Sequence, residues 1–198
     1  MKTPKIQLFL FLLFFSIFAL TGQGSIQSAD GKIMFFLTQA MVENQSVSFS
    51  EVVSVESAPG PQFSKYGLGM SILAIPFYIF GKVLSALLGI EASLATQFSV
   101  SMINALLTAF SCLIMYQFAT KRFNFSPRTS LLLASGFGLS TIAWYYSEDF
   151  MSEPATTFFL LSAVYFVTSK DPATRKWDLF TAGTFLALAV SCRLAVLV

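Results

Sequence analysis

Charged residues in this chain fall into a few short clusters, and uncharged apolar runs of membrane length separate them. Ala92 to Thr120 carries no charge, and neither do residues 129–146 and 154–169. The chain is 55% hydrophobic and 11% charged, whereas soluble domains carry about 25% charged residues. A helix that crosses a hydrocarbon core of about 30 Å needs about 20 apolar residues. The sequence therefore predicts an all-α fold, a polytopic transmembrane helix bundle, and argues against a soluble globular enzyme.

The residue types present exclude several kinds of chemistry. The chain has no histidine, which removes Ser-His-Asp and Cys-His catalysis and histidine-based metal sites. Cys112 and Cys192 both lie inside apolar runs, which favours buried free thiols over a disulfide framework. A net charge of +2 without a basic stripe gives no reason to expect nucleic acid as a partner. Carboxylates, Lys, Arg, Tyr and Ser remain for catalysis.

We predict five membrane spans connected by loops of clear charge. The spans cover residues 6–23, 94–119, 129–146, 154–169 and 178–198. The basic start and the small residues that follow the first apolar run also suit a signal peptide. That run is long for a signal peptide and more spans follow it, so we favour an uncleaved first span.

The distribution of basic residues predicts which loops face the cytoplasm. Cytoplasmic loops are rich in Lys and Arg, which places residues 1–5, 121–128 and 170–176 inside. Eight of the ten acidic residues then lie outside: Asp30, Glu43, Glu51, Glu56, Glu91, Glu148, Asp149 and Glu153. We expect an integral protein of the plasma (inner) membrane, part of the cell envelope, with a cytoplasmic N-terminus and its active face outside.

Residues 66–90 are apolar, but this orientation does not allow them to cross the membrane once, because one more crossing would invert every later loop. Lys82, Pro76 and several glycines interrupt the segment. Irregular backbone of this kind is tolerated at membrane depth where protein buries it. We therefore predict an interfacial or re-entrant segment, with a full span as the alternative.

Residues 24–65 form one sizeable polar region, which we interpret as an outer loop. Apolar residues at 33, 34, 37, 40 and 41 have helical spacing. They predict an amphipathic helix at the membrane surface, with Ser28 or Asp30 as its N-cap. The stretch 44–61 is interpreted as a loop with one short strand pair; its Asn44-Gln45-Ser46 matches a glycosylation sequon, a pattern that is frequent by chance.

Candidate site residues come from separate segments that share the outer side. They are Asp30 after the first span, Lys65 before the irregular segment, and Glu148, Asp149 and Glu153 in the acidic segment 147–154. Arg193 lies in the last predicted span, about 22 Å from the cytoplasmic edge at 1.5 Å per residue. A charged residue inside a span needs a partner, and an outer carboxylate or a lipid phosphate meets that need.

Carboxylates and cations at a membrane surface suit the transfer of a sugar from a polyprenyl phosphate. The lipid phosphate is already a good leaving group, so the reaction needs a base for the acceptor hydroxyl, and a carboxylate supplies one. Lys65 and Arg193 are candidates to hold the phosphate. A second carboxylate would orient the acceptor or bind a divalent cation.

Several motifs recur in an order that is similar to a known family. They are Ser28-Ala29-Asp30-Gly31, 63–69 with Pro76-Phe77-Tyr78, 144–148 with Glu153-Pro154, and Cys192-Arg193-Leu194. In this order they resemble the GT-C glycosyltransferases of the dolichyl-phosphate-mannose and aminoarabinose transferase group (glycosyltransferase family 39-like). The resemblance covers most of the chain.

That resemblance implies roles for the candidate residues. Asp30 is the expected catalytic base, Lys65 and Arg193 the expected lipid-phosphate ligands, and one of the three acids of segment 147–154 a supporting group. The frequent Asp-Glu pair of the family is Asp30-Gly31 here. The implied partners are a polyprenyl-phosphate-linked sugar, a lipid, glycan or protein acceptor, and membrane lipid, with no certain cofactor. Members of the family are longer, so we expect an N-terminal part that lacks later spans and is inactive alone.

Each candidate residue also has a purely structural interpretation. Asp30 suits a helix N-cap, and the acidic segment suits a solvated loop whose Glu153-Pro154 starts a helix. Lys65 suits an interfacial anchor, and residues 144–146 suit an aromatic belt. The alternative class is a non-enzymatic membrane protein, a transporter or an assembly subunit. Transporters place polar groups near the midplane, whereas the carboxylates here gather at one surface.

Overall fold

A computed structural model describes residues 3–50, 61–169 and 172–197 of the chain. Over these ranges the protein is all-α, as predicted from the sequence. The helices α1 to α8 are Thr3–Thr21, Ala29–Glu43, Leu68–Leu88, Ala92–Lys121, Pro127–Leu139, Ile142–Ser147, Ser152–Val167 and Arg175–Cys192. A short antiparallel pair, β1 (Ser48–Phe49) and β2 (Gln62–Phe63), follows α2, and a 3-10 turn at Leu194–Leu197 follows α8.

The 30-residue helix α4 is the centre of the fold. It contacts α1, α3, α5, α6 and α7, and its buried positions are mostly small: Ala, Ser, Thr, Asn and Cys. Small residues let helix backbones approach closely without leaving voids. A small residue also allows close packing in α5, where a Cβ added at Gly138 would lie 3.3 Å from the Phe18 ring of α1.

The contacts along α4 divide its neighbours into two groups. The Asn104 amide binds the carbonyl of Met151, just before α7, and Arg122 donates to the carbonyl of Tyr165, near the end of α7. Helix α7 therefore follows the second half of α4 over about 27 Å. Helix α3 takes the other half, because the backbone of Gly81 lies against Ala95 and Thr96.

The segment 66–90, for which we predicted an interfacial or re-entrant arrangement, contains one continuous helix, α3, with Pro76 inside it. Its glycines have other uses. Gly67 is the N-cap and Gly89, with a φ of +66°, is the left-handed C-cap. Gly69 and Gly81 are sites of close packing: a Cβ at Gly69 would lie 2.7 Å from the backbone carbon of Ser191.

Two other predicted segments have different boundaries in the structure. The run 129–146 is divided between α5 and α6, because the chain leaves the helix at Ser140 and Thr141 caps a new one by accepting from the Ala143 N–H at 3.1 Å. The last predicted span, 178–198, ends at Cys192. Arg193 consequently lies at a helix end with extended backbone (φ −152°), not inside a helix as we predicted.

Among the described residues, α3 and α4 are long and apolar enough to cross a membrane by length and composition. Residues Lys5–Thr21 form a shorter apolar helix. A helix is present in the region 24–65 where we predicted one, as α2, and Met34, Leu37 and Ala40 are on its buried face.

Candidate functional site

A polar cavity of about 220 Å³ lies where four segments of the chain converge. These segments are the first turn of α2, the residues before α3, the start of α7 and the end of α8. The polar side chains that line it are Asp30, Lys65, Tyr66, Ser152, Glu153 and Arg193. Four of the six residues predicted from sequence thus lie around one cavity, although they are far apart in the chain.

Helix α2 presents Asp30 to the cavity because another residue caps the helix. The Ser28 hydroxyl accepts the hydrogen bond from the Gly31 N–H at 3.1 Å. Of the two N-cap candidates, Ser28 therefore has this role, and the Asp30 carboxylate stands exposed in the first turn. The capping interpretation of Asp30 is wrong, which leaves its carboxylate available for chemistry.

Lys65 and Tyr66 lie next to Asp30. The Lys65 ammonium is 5.1 Å from the centre of the Tyr66 ring. Burial raises the pKa of Tyr66, and a hydrogen bond to Asp30 raises it further. The Tyr66 contact raises the pKa of Lys65, and the charge of Asp30 adds to that rise. At neutral pH the Tyr66 phenol is therefore protonated beside the Asp30 carboxylate, and Lys65 is a cation.

Glu153 and Arg193 form an ion pair at the cavity, in which the Arg193 guanidinium donates to a Glu153 carboxylate oxygen. Glu153 is in the first turn of α7, and Arg193 immediately follows α8. Helices α7 and α8 are antiparallel neighbours, so the start of one and the end of the other meet. Both side chains keep contact with solvent, at 28% and 44% exposure respectively.

Asp149 is buried, at 6% exposure, and does not line the cavity. Its carboxylate accepts hydrogen bonds from the backbone N–H groups of Ser28 at 2.8 Å, Gln27 at 3.3 Å and Phe150 at 2.7 Å. Asp149 therefore joins the acidic segment to the residues just before α2. Glu148 also lies outside the cavity lining, and its backbone carbonyl accepts from the Gln23 N–H at 3.2 Å.

Asn104 of α4 binds the backbone of the acidic segment and of the residue just before it, and we did not identify this residue from the sequence. Its side chain is fully buried, and its amide donates to the carbonyls of Asp149 at 2.5 Å, Met151 at 3.0 Å and Tyr146 at 3.3 Å. The sequence does carry a signal, since Asn104 is the one asparagine in the long uncharged run of α4. Such polar residues commonly bind a neighbouring segment in membrane helices.

Gly31 is required by packing between α2 and the acidic segment. A Cβ at this position would lie 2.7 Å from the Ser28 hydroxyl and closer still to the Phe150 carbonyl oxygen. A second carboxylate beside Asp30 therefore does not fit at position 31. Within the described ranges, no group of three or more Asp, Glu or Cys side chains is placed to hold a metal ion.

The described fold is thus a helical bundle with a cavity at one end that holds carboxylates, cations and a phenol. No protein-family model, no curated protein and no solved structure matches the chain. The chemistry of the cavity is therefore the main guide to function.

Proposed function

We propose that this chain is part of an integral membrane glycosyltransferase that moves a sugar from a polyprenyl phosphate to an acceptor hydroxyl. The observation that carries the proposal is the convergence of a non-capping carboxylate, Asp30, and two cations, Lys65 and Arg193, on one cavity. Asp30 supplies a base for the acceptor hydroxyl, and the two cations stabilise the negative charge of the leaving lipid phosphate. Lipid, glycan and protein acceptors all offer such a hydroxyl.

The chemistry assigns one role to each group. The acceptor oxygen attacks the anomeric carbon of the donor sugar, and Asp30 takes the hydroxyl proton. The bond between that carbon and the phosphate oxygen breaks, and the lipid phosphate leaves with the electron pair. Lys65 and Arg193 stabilise the charge on the phosphate. Tyr66 donates to Asp30 and so holds the carboxylate in place.

The proposed membrane position follows from the contacts along α4. We place the second half of α4 in the bilayer together with α1, α5, α7 and α8, because the α4–α7 contact length of about 27 Å is close to the thickness of a hydrocarbon core. The cavity then lies at one surface. Arg122 and Arg175 bind backbone carbonyls near the end of α7, at the opposite surface.

Helices α2 and α3 then belong to the outer surface. Helix α3 begins beside the end of α8 and runs toward the start of α4, away from α7. It therefore does not share the membrane layer of the other helices, although it is long and apolar enough to cross. This supports an interfacial α3 and the orientation that the basic residues predict.

The test is the substitution Asp30→Asn in the protein that contains this chain. We expect the transfer rate from a polyprenyl-phosphate sugar to fall by about 10²- to 10⁴-fold, the usual contribution of a general base. The measurement uses proteoliposomes and a panel of radiolabelled polyprenyl-phosphate hexoses and pentoses. Glu148→Gln is the matched control, because Glu148 lies outside the cavity lining, and it should retain activity. Full activity in the Asp30→Asn variant would refute the role of Asp30.

A further inference from the structure

The Arg193 guanidinium that we assign to the donor phosphate already has an anionic partner, the Glu153 carboxylate. A guanidinium binds carboxylates and phosphates with the same geometry. The two anions therefore compete for one group. Binding of a phosphate to Arg193 therefore breaks the Glu153–Arg193 pair.

We infer that Glu153 is an internal competitor for the phosphate subsite, and that its carboxylate is released from Arg193 when a lipid phosphate binds. This inference rests on the proposed function, because it takes Arg193 as a phosphate ligand. It assigns to Glu153 a role in the order of binding: the carboxylate becomes available for the acceptor only after the donor phosphate is in place.

The balance of charge favours the phosphate in this competition. Among the described residues Glu153 has one ion-pair partner, Arg193, whereas a phosphate in the cavity has both Arg193 and Lys65 within the same lining. The pair is also partly exposed, at 28% and 44%, and ion pairs that water reaches are weakly held. The second cation, Lys65, and the weakness of the existing ion pair both favour replacement of Glu153 by the phosphate at Arg193.

Glu153 also borders a second cavity of about 180 Å³, which is otherwise formed by residues of α4, α5 and α7 and by residues 141–146. The hydroxyls of Ser111 and Thr141 in this second cavity already donate to the backbone carbonyls of Leu107 and Phe137. We therefore expect the released carboxylate to stay in the polar cavity, where it faces the acceptor.

The test measures binding of dodecyl phosphate to the detergent-solubilised chain by calorimetry at low ionic strength. Competition predicts that Glu153→Gln binds the probe more tightly than wild type, by roughly twofold to fivefold for a partly exposed pair. Arg193→Gln should weaken binding at least about tenfold, as expected for loss of a charge-assisted contact. Glu148→Gln should bind like wild type, because Glu148 does not line the cavity.

Two further measurements separate the explanations. The tightening by Glu153→Gln should disappear in an Arg193→Gln background, and thermal unfolding should show that each variant is folded. If Glu153→Gln binds equally or more weakly while Arg193→Gln also binds weakly, the competition is refuted and the phosphate site stands. If Arg193→Gln and Lys65→Gln both bind like wild type, the phosphate site itself is refuted. Inorganic phosphate binding as tightly as dodecyl phosphate would exclude a lipid-linked ligand.

Discussion

At the scale of single residues, Asp30 and Asp149 show how environment separates two identical side chains. Asp30 is exposed in the first turn of α2 and lines the cavity. Asp149 is buried and accepts hydrogen bonds from three backbone N–H groups. A carboxylate used in this way is a structural element, since it satisfies donors that would otherwise be buried without partners.

Asp149→Asn should therefore destabilise the protein, whereas Asp30→Asn should not. The amide of Asn offers one acceptor oxygen where Asp offers two, so a buried backbone N–H loses its partner, which costs about 1–3 kcal/mol. The measurement is the thermal unfolding midpoint in detergent. Asp30→Asn is the control and should unfold within the error of wild type. An Asp149→Asn variant as stable as wild type would show that these hydrogen bonds do not hold the segment.

At the scale of secondary-structure elements, α2 and α3 are joined by charged hydrogen bonds at Glu43 and by neutral hydrogen bonds at Ser71. The Glu43 carboxylate accepts from the Tyr78 hydroxyl at 2.7 Å and from the Lys82 ammonium at 2.9 Å. About two turns closer to the cavity, the Ser71 hydroxyl donates to the Met34 carbonyl at 3.0 Å, and the Ser71 carbonyl accepts from the Thr38 hydroxyl at 3.1 Å. The hydrogen bonds from Lys82 and then Tyr78 lower the pKa of Glu43 from 4.5. Only the hydrogen bonds at Glu43 depend on pH.

The hydrogen bonds at Glu43 that join α2 and α3 should weaken in acid. Because the pKa of Glu43 is lower in the folded protein than in the unfolded chain, its stabilising effect is complete above pH 4.5 and is lost as the pH falls below that value. Glu43→Gln should therefore lower the unfolding temperature at pH 7 and leave a smaller further drop at pH 3.5 than wild type shows. Ser71→Ala is the control, with the same loss at both pH values. Identical acid sensitivity of wild type and Glu43→Gln would contradict this assignment.

At the scale of the whole molecule, the question is which end of the bundle faces outward and whether α3 crosses. Single cysteines at Phe63, which precedes α3, and at Tyr145 and Lys176 answer it, in a background where the two native cysteines, both buried, are replaced. Phe63 and Tyr145 are 71% and 61% exposed. On intact cells, an impermeant maleimide should label positions 63 and 145 but not 176. Labelling at 63 and 176 without labelling at 145 would show that α3 crosses, and labelling at 176 alone would reverse the orientation.

The predictability of each element depends on whether local pattern or long-range packing decides it. The helical spacing of apolar residues in α2 and the uncharged run of α4 are local patterns, and both helices are present. The glycines and Pro76 of α3 predicted an irregular segment. Gly69 and Gly81 instead lie where the backbones of neighbouring helices pack closely against α3. The interruption at Ser140 and the end of α8 at Cys192 carry no strong local signal. Their boundaries depend on tertiary contacts.

The residues of the candidate site were also predictable only in part from the sequence. Charge and chain order were enough to select Asp30, Lys65, Arg193 and the acidic segment that contains Glu153, and the fold brings these four residues to one cavity. They were not enough to separate Asp149 and Glu148 from Glu153, since all three acids occur within six residues of sequence. The difference is one of side-chain direction and hydrogen bonding, which neighbouring positions in an irregular segment do not share.

The amino-acid sequence by itself determined the helical class, because apolar run length is a property of composition along the chain. The tertiary structure alone decided which carboxylate meets which partner. Ser28 caps α2 in place of Asp30, Asp149 turns inward to backbone N–H groups, and Glu153 pairs with Arg193. The contacts of Asp149 with the residues before α2 and of Glu153 with Arg193 join positions 40 to 122 residues apart, so they depend on how the helices pack and no local pattern encodes them.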